Sequence, residues 1–188
     1  MPLLQDYNKL FEHTDNIKKI YVNNNVVWPA VVSSGPDYTE HLYLENTSNE
    51  TKTVRTATTD VEISYDKNNW ETMTRNVDYN VSPNSTIWLR KSTTAFNSRI
   101  TTTCDSVGGN VMSLLYGSEF TGQTEFASLT TTRAFSALFQ NSALIDASKL
   151  LLPATTLATR CYNSMFFGCT SLTTAPKLPA TSMEERCY

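Results

Sequence analysis

The sequence predicts a mainly β chain in three parts: a small N-terminal segment of helix plus hairpin, an antiparallel β-sandwich-like domain, and the start of a stacked repeat array. Three observations carry this. Thr, Ser and Asn number 28, 18 and 16 of 188 residues, while charged residues reach only 18%, against roughly 25% in an average domain. Short β-rich runs recur about every 10 residues between 37 and 107, the spacing of an antiparallel sandwich or meander. An eleven-residue segment beginning at Leu152 returns 26 residues later.

In residues 1–36, Leu3, Tyr7, Leu10 and Phe11 fall at helical spacing and predict a short helix with one apolar face. Ile17–Val22 and Val26–Trp28 flank asparagines 23–25, which tolerate positive φ, so a β-hairpin follows. A lone two-stranded hairpin is marginal in water. It must pack on the next domain or order against another subunit. In the second case the candidate docking interface is Leu10, Phe11, Ile17, Ile20, Val22, Val26, Val27 and Trp28. Ser33-Ser34-Gly35-Pro36 reads as a linker.

Residues 37–107 form the antiparallel domain, with strands expected at His41–Leu44, Thr53–Thr56, Val61–Tyr65, Ser85–Arg90 and Arg99–Thr103. Thr suits a half-buried pleated face, so its abundance here needs no ligand. Ser64-x-Asp66-x-x-x-Trp70 resembles the Asp-box of sialidase-like propellers. It is one residue short, lacks the glycine and occurs once, so it reads as a hairpin turn with a core Trp.

Residues 108–188 hold about two and a half repeats. Leu152–Tyr162 and Leu178–Tyr188 share seven identities in eleven, with Thr/Ser and Leu/Met exchanges. Arg133–Phe139 matches Arg160–Phe166 position by position as an earlier, degenerate copy. A 26-residue period lies within the 20–29 of leucine-rich repeats. Leu152, Leu157, Cys161, Tyr162, Phe166, Cys169, Leu172, Leu178, Met183 and Cys187 are therefore expected to form the core of a leucine-rich repeat solenoid, each turn stacking on its neighbours. Cys161 should lie beside Cys187 and Leu157 beside Met183. The Ala134/Cys161 exchange marks a small core slot, although a disulfide or metal pair at Cys161 and Cys187 is conceivable.

Leu-Pro-Ala-Thr-Thr-Leu, Cys-Tyr-x-x-Met-Phe and Gly168–Pro176 resemble the BspA-like (Treponema-type) leucine-rich repeats, which occur in surface proteins of gut Bacteroidetes and in virion proteins of their phages. The resemblance covers about residues 108–188, with Gly109–Gly117 similar to the lead-in of such arrays. More weakly, Ile17–Pro29 is similar to a short element near the ends of phage tail and fibre proteins. The resemblance implies a binding or structural role. Such arrays usually run to many repeats, whereas this sequence stops at Tyr188, so the last turn is expected to lack a cap.

No catalytic constellation and no cofactor or metal site is expected. His13 and His41, expected at the surface, share no motif with Ser or Cys, and no His stands at zinc-ligand spacing. Glu184-Glu185 reads as a solvated corner, and Gly108-Gly109 lacks the other glycines of a phosphate loop. The net charge of -3 offers no basic excess for nucleic acid. No apolar run reaches the roughly 18 residues of a membrane helix, and residues 1–19 lack the pattern of a signal peptide. The expectation is a non-enzymatic virion protein of head- or tail-fibre type, assembled in the host cytoplasm. Its N-terminus would dock on capsid or tail proteins and its repeats would face a host-surface glycan or protein, in a homo-oligomer. The competing expectation is a bacterial cell-surface adhesin.

Overall fold

The computed structural model describes residues 20–22, 25–28, 37–93, 96–122 and 129–188, the first two stretches by backbone alone. The chain divides into two compact units, Met1–Pro36 and Asp37–Tyr188. In the first, β1 (Ile20–Val22) pairs antiparallel with β2 (Asn25–Trp28), with a register shift after Ile20. This is the hairpin that the two β-branched runs predict. The helix expected around Leu10 and Phe11 lies outside the described residues, as do Ile17 and His13.

The second unit is mainly β, with antiparallel sheets and, among the described residues, one short α-helix, α1 (Ser113–Tyr116). Its larger sheet runs in the spatial order β11 (Asp146–Leu151), β10 (Ser106–Asn110), β3 (Leu42–Asn46), β8 (Ser85–Arg90), β5 (Glu62–Ser64), β6 (Glu71–Thr72). A second sheet orders β7 (Tyr79–Val81), β4 (Lys52–Thr56) and β9 (Ile100–Thr102). Burial alternates along β3: Leu42, Leu44 and Asn46 are buried while Tyr43 and Glu45 are half-buried, the period-two pattern of a sheet with one covered face. Leu44, Ile63, Ile87 and Leu89 of one sheet share a core with Val54, Val81 and Ile100 of the other. Buried Asn46 links the two, its Nδ2 donating to the carbonyls of Glu50, Val81 and Ser82 at 2.7, 3.1 and 2.9 Å.

Strand β8 covers the predicted residues, and β3, β4, β5 and β9 differ from expectation by one or two residues at their ends. Strand β10 was not expected, because its glycine doublet is unfavourable in a strand interior. It is held between two neighbouring strands, and the glycines are needed because the space above them is taken. A Cβ on Gly108 would run into the Tyr43 ring, and one on Gly109, whose φ is +77°, into the His41 carbonyl.

β10 also corrects the boundary expected at residue 107, which falls inside it. The strand pairs antiparallel with β3 (Gly108 opposite Tyr43) and parallel with β11 (Gly108 opposite Lys149, Asn110 opposite Leu151). The antiparallel strands and the repeats thus share one sheet and one core.

From Leu129 onward, successive repeat copies lie side by side. β12 (Thr156–Leu157) pairs parallel with β13 (Ser182–Met183), Leu129 bridges Leu157, and Asp146 bridges Thr174. Between these contacts the backbone is a string of overlapping turns. The N–H groups of Ser136, Leu138, Gln140 and Ser142 donate three residues back within the copy. Those of Arg133, Ala137, Phe139 and Asn141 donate to Thr159, Asn163, Met165 and Phe167 of the next copy at 2.8–2.9 Å. Every second amide therefore binds its own copy, and the alternate ones bind the next copy except that of Phe135, which donates to the Phe96 carbonyl. The turn geometry requires positive φ at Arg133, Phe135, Ala137 and Asn141, and again at Arg160, Tyr162, Ser164 and Gly168. Crowding at such non-glycine residues costs about 1 kcal/mol each. A cross-copy hydrogen bond contributes about as much, and buried rings add to it. The rings form a column: Phe96, Phe135, Tyr162 and Tyr188 stack with centroids 6.4, 5.8 and 5.9 Å apart.

Candidate binding surface

The repeat-core expectation divides by copy. Leu152, Leu157, Cys161, Tyr162, Cys169 and Cys187 are buried, and Phe166 and Leu172 are half-buried against the core. Leu178 and Met183 are 55% and 53% exposed, which corrects their placement in the core. Met183 does pair with Leu157, but no described residue packs over its outer side. The docking residues Ile20, Val22, Val26, Val27 and Trp28 lie on the hairpin strands, and their side chains are outside the described residues, with Leu10, Phe11 and Ile17.

The cysteines are free thiols in small buried slots. Cys161 Sγ donates to the Thr131 carbonyl and Cys187 Sγ to the Ala158 carbonyl, 3.3 and 3.2 Å away in the preceding copy. Burial pushes the Cys161 and Cys169 thiols up, away from the thiolate a nucleophile or metal ligand needs. Among the described residues no three His, Cys, Asp or Glu gather as metal ligands.

His41 is not the surface residue expected. Its ring lies 4.9 Å from Trp70 and 4.5 Å from Phe120, and its buried Nε2 has no hydrogen-bond partner. Burial, then the Arg90 charge, lowers its pKa to about 4, so the imidazole is neutral at pH 7. Among the described residues no nucleophilic side chain is hydrogen-bonded to it. The Ser64–Trp70 segment is a hairpin turn closed by Asp66, which accepts from the backbone N–H groups of Asn68 and Asn69 at 2.9 and 2.7 Å. Those bonds hold its carboxyl at about 2. Trp70 is half-buried, with the Arg90 guanidinium 4.1 Å over its ring.

The repeats place a row of three arginines on their outside, with exposed Glu184 and Glu185 at its last position. Arg133, Arg160 and Arg186 occupy the same position in three successive copies, each with φ near +60°. Arg133 N–H donates to Thr159 and Arg160 N–H to Glu185, both at 2.9 Å, so each arginine lies beside the residue preceding the next. The stacked rings two residues along, 5.8 and 5.9 Å apart, set the separation of the copies. Arg133 and Arg186 are exposed and Arg160 half-buried. Among the described residues Arg186 pairs only with its neighbour Glu185, Nε to Oε1 3.0 Å, while Arg133 and Arg160 make no ion pair. Arg55, by contrast, is satisfied by a two-pronged contact with Asp78 at 2.7 Å.

Charge counting sharpens this. Residues 129–188 carry five bases (Arg133, Lys149, Arg160, Lys177, Arg186) and three acids (Asp146, Glu184, Glu185), a net +2. The remaining residues carry ten bases and fifteen acids, a net -5, so the whole is -3. Comparison with protein-family models, curated proteins and solved structures finds no match. The arginine column therefore stands on its own geometry. Two unit charges about 6 Å apart at a wet surface repel by roughly 1 kcal/mol, and an anion lying along the column would relieve that repulsion. Sequence alignment of the copies contained this signal, since the arginines align with the repeat, but a register was needed to place them side by side.

Proposed function

We propose that the chain is a non-enzymatic structural and binding protein of a phage virion, of head- or tail-fibre type. In this reading the N-terminal hairpin segment anchors it to other virion proteins, and the repeats form a leucine-rich repeat solenoid presented outward for attachment to the host surface. The observation that carries it is the in-register stacking of copies whose sequence resembles BspA-like repeats, joined at Phe135–Tyr162–Tyr188 and through alternate backbone amides. Two further features support a binding role. Sharing β10 between the antiparallel sheet and the repeats gives the array a covered start, as repeat proteins require. The outward face offers Arg133 and Arg160, which make no ion pair among the described residues. Among the described residues no helix is long and apolar enough to cross a membrane.

Immunogold electron microscopy with antibodies to residues 37–188, on particles of the phage carrying this sequence, tests the reading. Label on fibres or on the capsid surface is expected. Particles free of label, with label on the bacterial cell surface instead, would overturn it in favour of a cell-surface adhesin. Sedimentation of the full chain tests the expected homo-oligomer, which a strictly monomeric profile contradicts.

A further inference from the structure

We propose that the Arg133–Arg160–Arg186 column is the ligand-binding site, and that its ligand is a polysaccharide carrying anionic groups. The inference rests on the binding role given above and names its ligand class.

Three features point there together. The column repeats one guanidinium per copy, so it addresses a ligand with repeated charges rather than one ion. Guanidinium groups hold carboxylate and sulfate oxygens through paired N–H donors in a fixed fork. Arg186 is preceded by exposed Glu185, with which it pairs, whereas the residue preceding Arg133 is exposed Thr132, that preceding Arg160 is half-buried Thr159, and Ser136 and Asn163 follow three residues on. These hydroxyl and amide groups suit sugar hydroxyls. Nucleic acid fits less well. Single-strand binding uses exposed aromatic platforms, yet Phe135 and Tyr162 beside the column are buried, leaving only Tyr188 in that row exposed. The whole chain is also net negative.

The column is distinct from the Lys149 and Lys177 positions, which also recur but where Lys149 is engaged by Glu45 at 3.3 Å. That difference supplies an internal control.

Titration calorimetry of the full chain with polygalacturonate, dextran sulfate, neutral dextran and single-stranded oligothymidylate tests the proposal. Binding to at least one acidic polysaccharide is expected, weakening as salt rises, with none to neutral dextran; preference for carboxylate or sulfate then identifies the anionic group. Arg133→Gln and Arg186→Gln, both at exposed positions, should each weaken binding about tenfold, and the triple Gln variant should abolish it. Arg160→Lys should restore part of the affinity lost in Arg160→Gln, and Lys149→Gln with Lys177→Gln should leave affinity within about twofold. Unfolding midpoints confirm that each variant is folded. The proposal is overturned if no acidic polysaccharide binds, if the exposed-site variants bind as well as the parent, or if the oligonucleotide binds more tightly than every polysaccharide. Absence of binding together with immunogold label on the virion refutes this site and leaves the virion role standing.

Discussion

Tyr162 sits at the centre of the ring column, between Phe135 and Tyr188, and is 2% exposed with its hydroxyl buried and unpartnered. A buried hydroxyl without a partner costs about 1–3 kcal/mol. Phe135 fills the equivalent place without a hydroxyl. Tyr162→Phe should therefore stabilise the chain by about 1 kcal/mol, a rise of about 2–4 °C in Tm for a domain of this size. Tyr162→Ala removes the ring and should cost about 3–5 kcal/mol. Urea unfolding followed by far-UV circular dichroism, with calorimetric melting in parallel, measures both. A Phe variant more than 1 kcal/mol less stable than the parent means the hydroxyl has a partner and the stacking argument is wrong. An Ala variant of unchanged stability removes the column from the core altogether.

Gly168 has φ +77°, and a Cβ there would meet Asn141 Oδ1 of the preceding copy; Gly168→Ala should lose about 1–3 kcal/mol, read as a lower urea midpoint. Asn46→Ala should cost about 1–3 kcal/mol by removing the buried amide that donates to the Glu50, Val81 and Ser82 carbonyls, of which Glu50 and Ser82 keep the Ser48 and Ser85 hydroxyls, and Asn46→Asp should not rescue it, since an ionised carboxylate has no N–H to donate. His41, at about 4 when folded, takes up its proton near 6.5 when unfolded. The unfolded state then holds more protons between these values, so stability should fall as pH drops from about 6.5 to about 4. For a half-buried ring the loss is roughly 2 kcal/mol after allowance for solvent screening. Thermal melts of His41→Phe should show a flatter slope over that window; an unchanged slope assigns the pH dependence to other groups.

Short β-rich runs spaced about ten residues apart made β3, β4, β5, β8 and β9 legible in the sequence, and burial alternates along β3 as a sheet with one covered face requires. Self-similarity made the pairing of Leu157 with Met183 legible, whereas the ring column through Phe135, Tyr162 and Tyr188 was not anticipated. The turn strings were not legible. Positive φ is usually marked by Gly or Asn, whereas here Arg133, Ala137, Arg160 and Tyr162 adopt it with their amides held by a neighbouring copy, and Phe135 with its amide on the Phe96 carbonyl. His41 was misread for a related reason: its burial depends on Trp70 and Phe120, which lie 29 and 79 residues away. For the candidate site, the three arginines were visible as repeat positions. That Arg133 and Arg160 make no ion pair among the described residues was not, because it depends on which acids the fold brings near.

Amide hydrogen exchange across residues 129–188 tests the stacked-copy account most directly, since both the binding role and the arginine column depend on it. The N–H groups of Arg133, Ala137, Phe139, Asn141 and Tyr162 bond only across copies, and no sequence propensity would protect them in isolation. The account predicts slow exchange at these five, comparable to the amides of β3 and β8. Fast exchange there, with β3 and β8 still protected, would contradict it.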